Sequence, residues 1–190
     1  MLRILLALVL LSTPAVAAQL LQPGDVAVQT LDNGTRYTLI NETGYAGFTV
    51  PGTWQEKTVE NTPPSSWVQF HVDGPDLPCA VGILLMTAGS EAETKAEAVD
   101  AKLHAQMTEN RYKDWSIYIG PDPTPGIMQG IDAIKPVGGI VMRIRILFTA
   151  APDASGKAVA RLDGFLDTVD GGNGPYTLHP NEVVRKKPVR

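Results

Sequence analysis

The chain has 190 residues, 44% of them hydrophobic, with 16 Lys+Arg against 20 Asp+Glu. That apolar share excludes wholesale disorder, and the acidic balance argues against nucleic acid as a partner, since neutralising phosphates needs a basic face. Cys79 is the only cysteine, which excludes an intramolecular disulfide.

Residues 1–17 read as a secretory signal peptide. Arg3 supplies the positive start, residues 4–11 are an unbroken apolar run, Ser12-Thr13-Pro14 break a helix, and Ala15-Val16-Ala17 is an A-x-A cleavage signal before Ala18. Eight apolar residues are too few to span a bilayer, which takes about 20. The expectation is a cleaved leader, a periplasmic or fully secreted product, and no membrane span after cleavage. Residues 18–170 are expected to form one domain, with 11 basic and 19 acidic residues. Residues 171–190 carry Arg185, Lys186, Lys187 and Arg190 against Glu182 and read as a weakly ordered basic tail.

Along the body, 26–31 and 35–40 read as a β-hairpin turning at Asp32-Asn33-Gly34. Residues 45–50 are a strand ended by Pro51-Gly52, and 61–66 are a polar connection. Residues 67–72 alternate, with Val68, Phe70 and Val72 on one face and Trp67, Gln69 and His71 on the other. Residues 80–86 are apolar on both faces, as in a central strand. Cys79 heads that run and reads as a small buried hydrophobe.

Ser90 and Glu93 make a capping box, and Ala92, Ala96, Val99, Leu103 and Met107 form one stripe, predicting a helix that stops near Asn110. Strands follow at 115–119, 127–135 and 140–149. Val159, Leu162, Phe165, Leu166 and Val169 mark a second amphipathic helix. The order predicts an α+β fold: a mostly antiparallel sheet covered on one face by two helices.

This order of parts, with Tyr45-Ala46-Gly47-Phe48-Thr49-Val50-Pro51-Gly52-Thr53-Trp54, resembles the PsbP/Mog1 superfamily over residues 45–169. The resemblance implies that Trp54 packs beneath the sheet and that the protein is non-catalytic. No family binding motif is matched, so no functional residue carries over.

Catalytic and cofactor signals are sparse. Cys79 with His71 or His104 is the Cys-His pairing to weigh, no Gly-x-Ser-x-Gly elbow occurs, and no phosphate loop occurs, so no cofactor is expected. His71, Asp73 and Asp76 are close enough in sequence to hold a divalent ion, but Asp73-Gly74-Pro75-Asp76 also reads as ordinary turn chemistry. The strongest polar constellation is Arg143 and Arg145, two residues apart and so on one face of their strand; Trp67, Gln69 and His71 do the same on another strand, and the two sets share one surface if those strands lie near each other. Such a face suits an anion or an acidic segment. It suits better still a solvated outer face in which the arginines pair across strands with acids. Three functions follow as expectations: an exported non-catalytic module that binds an envelope protein, a small-anion or ligand-binding protein using Arg143 and Arg145, or a hydrolase using His71 with Asp73 or Asp76.

Overall fold

A computed structural model describes residues 19–63, 65–72, 79–86, 108–121, 125–148 and 163–186. Among these are twelve strands: β1 (Val26–Leu31), β2 (Gly34–Ile40), β3 (Gly44–Pro51), β4 (Trp54–Thr62), β5 (Ser65–Val72), β6 (Cys79–Met86), β7 (Thr108–Tyr112), β8 (Trp115–Gly120), β9 (Gln129–Val137), β10 (Ile140–Phe148), β11 (Asp170–Asn173) and β12 (Val183–Arg185). They form two sheets, β11-β3-β2-β1-β12 and β4-β5-β6-β10-β9-β8-β7. Every pairing is antiparallel.

Each sheet turns one set of alternate residues onto a shared core. From the small sheet come Tyr37, Leu39, Ala46, Phe48 and Val50; from the large one come Val68, Phe70, Ile117, Ile131 and Ile144. Aromatic rings join the layers. Tyr37 stacks on Phe48 at 5.6 Å and meets Phe70 edge-on at 5.4 Å, and Trp54 lies 5.2 Å from Phe165. Trp54 is thus packed, partly buried, against the core from the edge strand β4.

The predicted α+β architecture, a sheet roofed by two helices, is overturned: among the described residues the fold is two packed antiparallel sheets with one helical turn. That turn, at 163–166, falls within the second predicted helix. Phe165, Leu166 and Val169 are buried in the core as their spacing requires, and Val159 and Leu162 of that predicted helix lie outside the described residues. Residues 90–107 of the first predicted helix lie outside the described residues. Its expected end does not: Thr108, Glu109 and Asn110 belong to β7, which pairs with β8 through a turn at Lys113-Asp114.

Turn chemistry sets the hairpin registers. Gly138 and Gly139 link β9 to β10 with φ of 54° and 73°, the paired left-handed geometry of a two-residue hairpin turn. The β1–β2 turn is made by Asp32 and Asn33, one residue earlier than the Asn-Gly signal suggests, and Gly34 begins β2 against the Val50 carbonyl. Gly44 sits where the Gly138–Gly139 turn and β11 meet β3. A Cβ there would overlap the carbonyl oxygens of both Gly138 and Gly172. Both obstacles are backbone, so Gly44→Ala is expected to cost about 1–3 kcal/mol through overpacking, read as a lower urea midpoint at unchanged slope.

Polar groups also tie the layers. The Asn61 side-chain amide donates to the Asp25 and Ile40 carbonyls at 2.7 and 2.9 Å, and Ser66 donates to its oxygen. A segment read from sequence as a polar connection therefore supplies a buried clamp between β4 and the end of β2.

Residues 171–186, read from sequence as part of a weakly ordered tail, instead hold both edges of the small sheet. β11 pairs with β3 and β12 with β1. Residues 174–182 join the two opposite edges as a strap. Tyr176 meets Tyr45 at 4.8 Å and packs with Leu21, Ala27 and Ile40 in a second apolar cluster outside the main core.

Two buried phenols carry a pH consequence. Burial, then a hydrogen bond donated to Glu56 at 2.5 Å, holds Tyr37 well above the ordinary tyrosine range. Burial and a 2.6 Å bond to Glu182 do the same for Tyr176. A group whose folded pKa is raised stabilises fully below its unfolded value, about 10 for tyrosine, and loses that contribution as pH climbs towards the folded value. Stability should therefore fall above about pH 10. Tyr37→Phe and Tyr176→Phe together should flatten that alkaline limb in urea titrations.

Candidate functional site on the outer face of the large sheet

The period of two along β10 sends Ile140, Met142 and Ile144 into the core, each fully buried, and sends Val141, Arg143, Arg145 and Leu147 to the opposite face. Register places Arg145 opposite Asp132 of β9, and Arg143 opposite Ile134. Arg143 Nε donates to Asp132 Oδ1 at 2.8 Å, and Arg145 Nε stands 3.9 Å from Oδ2. The Asp132 side chain is 3% exposed, Arg143 13% and Arg145 32%. One buried carboxylate therefore sits between two guanidinium groups.

Cross-strand pairing with an acid, the alternative weighed from sequence, is what β9 supplies. Asp132 was not singled out from sequence as a site residue. The available signal was a lone acid in an otherwise apolar strand, Gly130-Ile131-Asp132-Ala133-Ile134, next to a strand bearing two arginines.

The rest of this face divides in two. Over β8, β9 and β10 it is dry: Tyr118, Ile134 and Val141 form a buried cluster, and Ser116 beside them is 3% exposed. Over β4 and β5 it is open. Trp67 keeps 36% of its surface, Glu60 and His71 are exposed, and Gln69 is half-buried.

Register runs Trp67–Leu84–Arg143, Gln69–Gly82–Arg145 and His71–Ala80–Leu147 across β5, β6 and β10. The five predicted site residues thus share one face. The arginines stand one strand away from the β5 trio, about 10 Å at the usual strand spacing. They divide by environment: the arginines flank a buried acid, and the β5 residues lie on the open half.

Cys79 opens β6 opposite Val72 and Phe148. Asp73, Asp76 and His104, the partners invoked for hydrolytic, metal and thiol chemistry, lie outside the described residues. Among the described residues no three His, Cys, Asp or Glu side chains are grouped to hold a metal ion.

A second polar group ties the β7–β8 hairpin to the helical turn. Tyr112 donates to Asp167 at 3.0 Å, and Lys113 Nζ lies 2.6 Å from Asp167 Oδ1. Lys135 reaches Asp114 at 2.7 Å and lies over the Trp115 ring at 5.6 Å. The Lys113 ammonium holds Asp167 below the ordinary carboxylate range, while desolvation, reinforced by Asp167, pushes Asp163 up. These are mostly exposed surface pairs, and they serve as a structural tie.

Comparison with protein-family models, with curated proteins and with solved structures returns no match.

Proposed function

We propose that this chain is an exported, non-catalytic module that binds a protein partner in the cell envelope through the open half of the large sheet, with Trp67 as the apolar anchor. The observation that carries this reading is the exposure of Trp67 on the outer β face, in line with Gln69 and His71 two and four residues on. Tryptophan presented in this way is over-represented among the few residues that dominate binding energy, and the polar neighbours suit an interface rim. The leader at residues 1–17 supports export. The small-anion reading gains no support from the geometry, since Asp132 already neutralises one of the two arginines from within the same sheet.

The test is recovery of an envelope partner by the mature chain. Trp67→Ala should weaken capture by about thirtyfold, the equivalent of a 2 kcal/mol anchor, while the variant keeps a cooperative thermal transition. Met128→Ala, a control at another exposed apolar residue, should bind normally. Equal capture by Trp67→Ala and wild type would refute the anchor role. Absence of any specific partner would refute the module reading as a whole.

A further inference from the structure

Gly82 is out of place in β6. The strand, Cys79–Met86, is otherwise apolar and lies inside the large sheet between β5 and β10. A glycine inside a strand packs nothing, and it marks a bulge, a sharp bend or a place where another backbone or a ligand comes close. A bulge is excluded, because the ladders to β5 and to β10 both run through Gly82 without a register shift. Unbroken pairing on both sides from Cys79 to Met86 leaves no corner there either.

Register decides which face lacks the side chain. Gly82 stands opposite Gln69 on one side and Arg145 on the other, so the gap opens on the outer face of the sheet. The β5 and β10 backbones are about 10 Å apart across it. One wall carries Trp67 and Gln69, and the other carries Arg143 and Arg145. Both walls reach water: Trp67 is 36% exposed and the Arg145 side chain 32%.

Charge differs between the two sides. On the β10 side, two guanidinium groups share the Asp132 carboxylate. Arg143 Nε is bonded to it at 2.8 Å and the side chain is 13% exposed, whereas Arg145 Nε stands 3.9 Å away and its side chain is the more exposed. On the far side of Trp67, its register partner on β4 is the exposed Glu60. An arriving acid is therefore drawn towards β10 and repelled from β4.

Building on the reading of Trp67 as the anchor point for a protein partner, we infer that the docking part of that partner is an extended acidic segment. Its backbone lies over Gly82, an apolar side chain rests on Trp67, and a carboxylate meets Arg145. The missing Cβ lets the partner's backbone come close, and the planar guanidinium fork matches a carboxylate. A helix, about 10–12 Å across with its side chains, does not seat between the walls. Arg145 lies two residues along and two strands across from Trp67, about 12 Å by strand geometry. An extended chain rises about 3.3 Å per residue, so acid and anchor stand three or four residues apart in the partner.

The probe is a random-peptide library displayed on phage and selected against the purified whole chain. Wild type should enrich peptides with Asp or Glu three or four residues from an aromatic residue or leucine. The best of these, made as labelled free peptides, should bind roughly tenfold more weakly to Arg145→Gln, the size of one hydrogen bond to a charged group. Arg145→Lys, which keeps the charge without the fork, should fall between. Gly82→Val, which fills the gap with a strand-favouring side chain, should also weaken binding roughly tenfold. Thermal melts establish that each variant is folded, and either Arg145→Gln or Gly82→Val suffices if the other is not.

No enrichment, enrichment without an acid at that spacing, or a folded Gly82→Val or Arg145→Gln chain that binds like wild type would overturn the inference. Enriched peptides that need Trp67 but show no preference for an acid would overturn it while leaving the anchor reading in place. Acidic peptides that bind Trp67→Ala as well as wild type would overturn the anchor reading instead.

Discussion

Replacing Asp132 with alanine is expected to lower stability by about 3–5 kcal/mol, the cost of breaking a buried ion pair by removing one partner. The carboxylate is 3% exposed and Arg143 13%. The substitution leaves the Arg143 charge among Tyr118, Ile134 and Val141 with no compensation from β9. Arg145, with a third of its side chain in water, is less affected.

The double substitution Asp132→Leu with Arg143→Met should recover most of the loss, since apolar residues of similar size commonly replace buried pairs at little cost. Urea midpoints for the two single variants and the double variant measure this as a cycle. A loss under about 1 kcal/mol for Asp132→Ala would mean that water reaches the pair. The same series separates structure from function: a structural pair can be exchanged for apolar residues with no loss of partner capture through Trp67.

Ending the chain after Asn173 is expected to be more damaging still. It deletes Tyr176, Leu178 and β12, uncovers Leu21, Ala27, Ile40 and Tyr45, and opens the edge of β1. Removing one large buried aromatic side chain costs about 3–5 kcal/mol, a large part of the roughly 5–15 kcal/mol that holds a domain together. An apolar face beside an unpaired edge also invites association. The truncated chain should lose its cooperative thermal transition or elute as aggregates in size-exclusion chromatography. A monomer melting within about 3 °C of the full chain would show that the strap is only an accessory layer.

Strands with clean alternation were readable one at a time. The Gly34–Ile40, Ser65–Val72 and Ile140–Phe148 strands lie close to where periodicity put them. β4 escaped notice because Gln55, Glu56 and Lys57 are all exposed and a bulge between Glu56 and Thr58 interrupts the period of two. β11 and β12 are too short, at four and three residues, to show a period, and the glycines of 171–174 read as a helix stop and a loose end. The apolar spacing at 165, 166 and 169 correctly marked buried positions, but such spacing does not say how two sheets, rather than one sheet and two helices, share the core.

Local residue order was enough to place Arg143 and Arg145 on one face and Trp67, Gln69 and His71 on one face, because side-chain direction along a strand depends only on counting by two. Tertiary structure alone decided that Asp132 lies between the arginines, that one half of that face is dry and the other open, and that the C-terminal strap closes both edges of the small sheet. Each of these depends on which distant strand pairs with which and in what register. That choice is made by non-local burial and hydrogen bonding, which neighbouring residues in the chain do not encode.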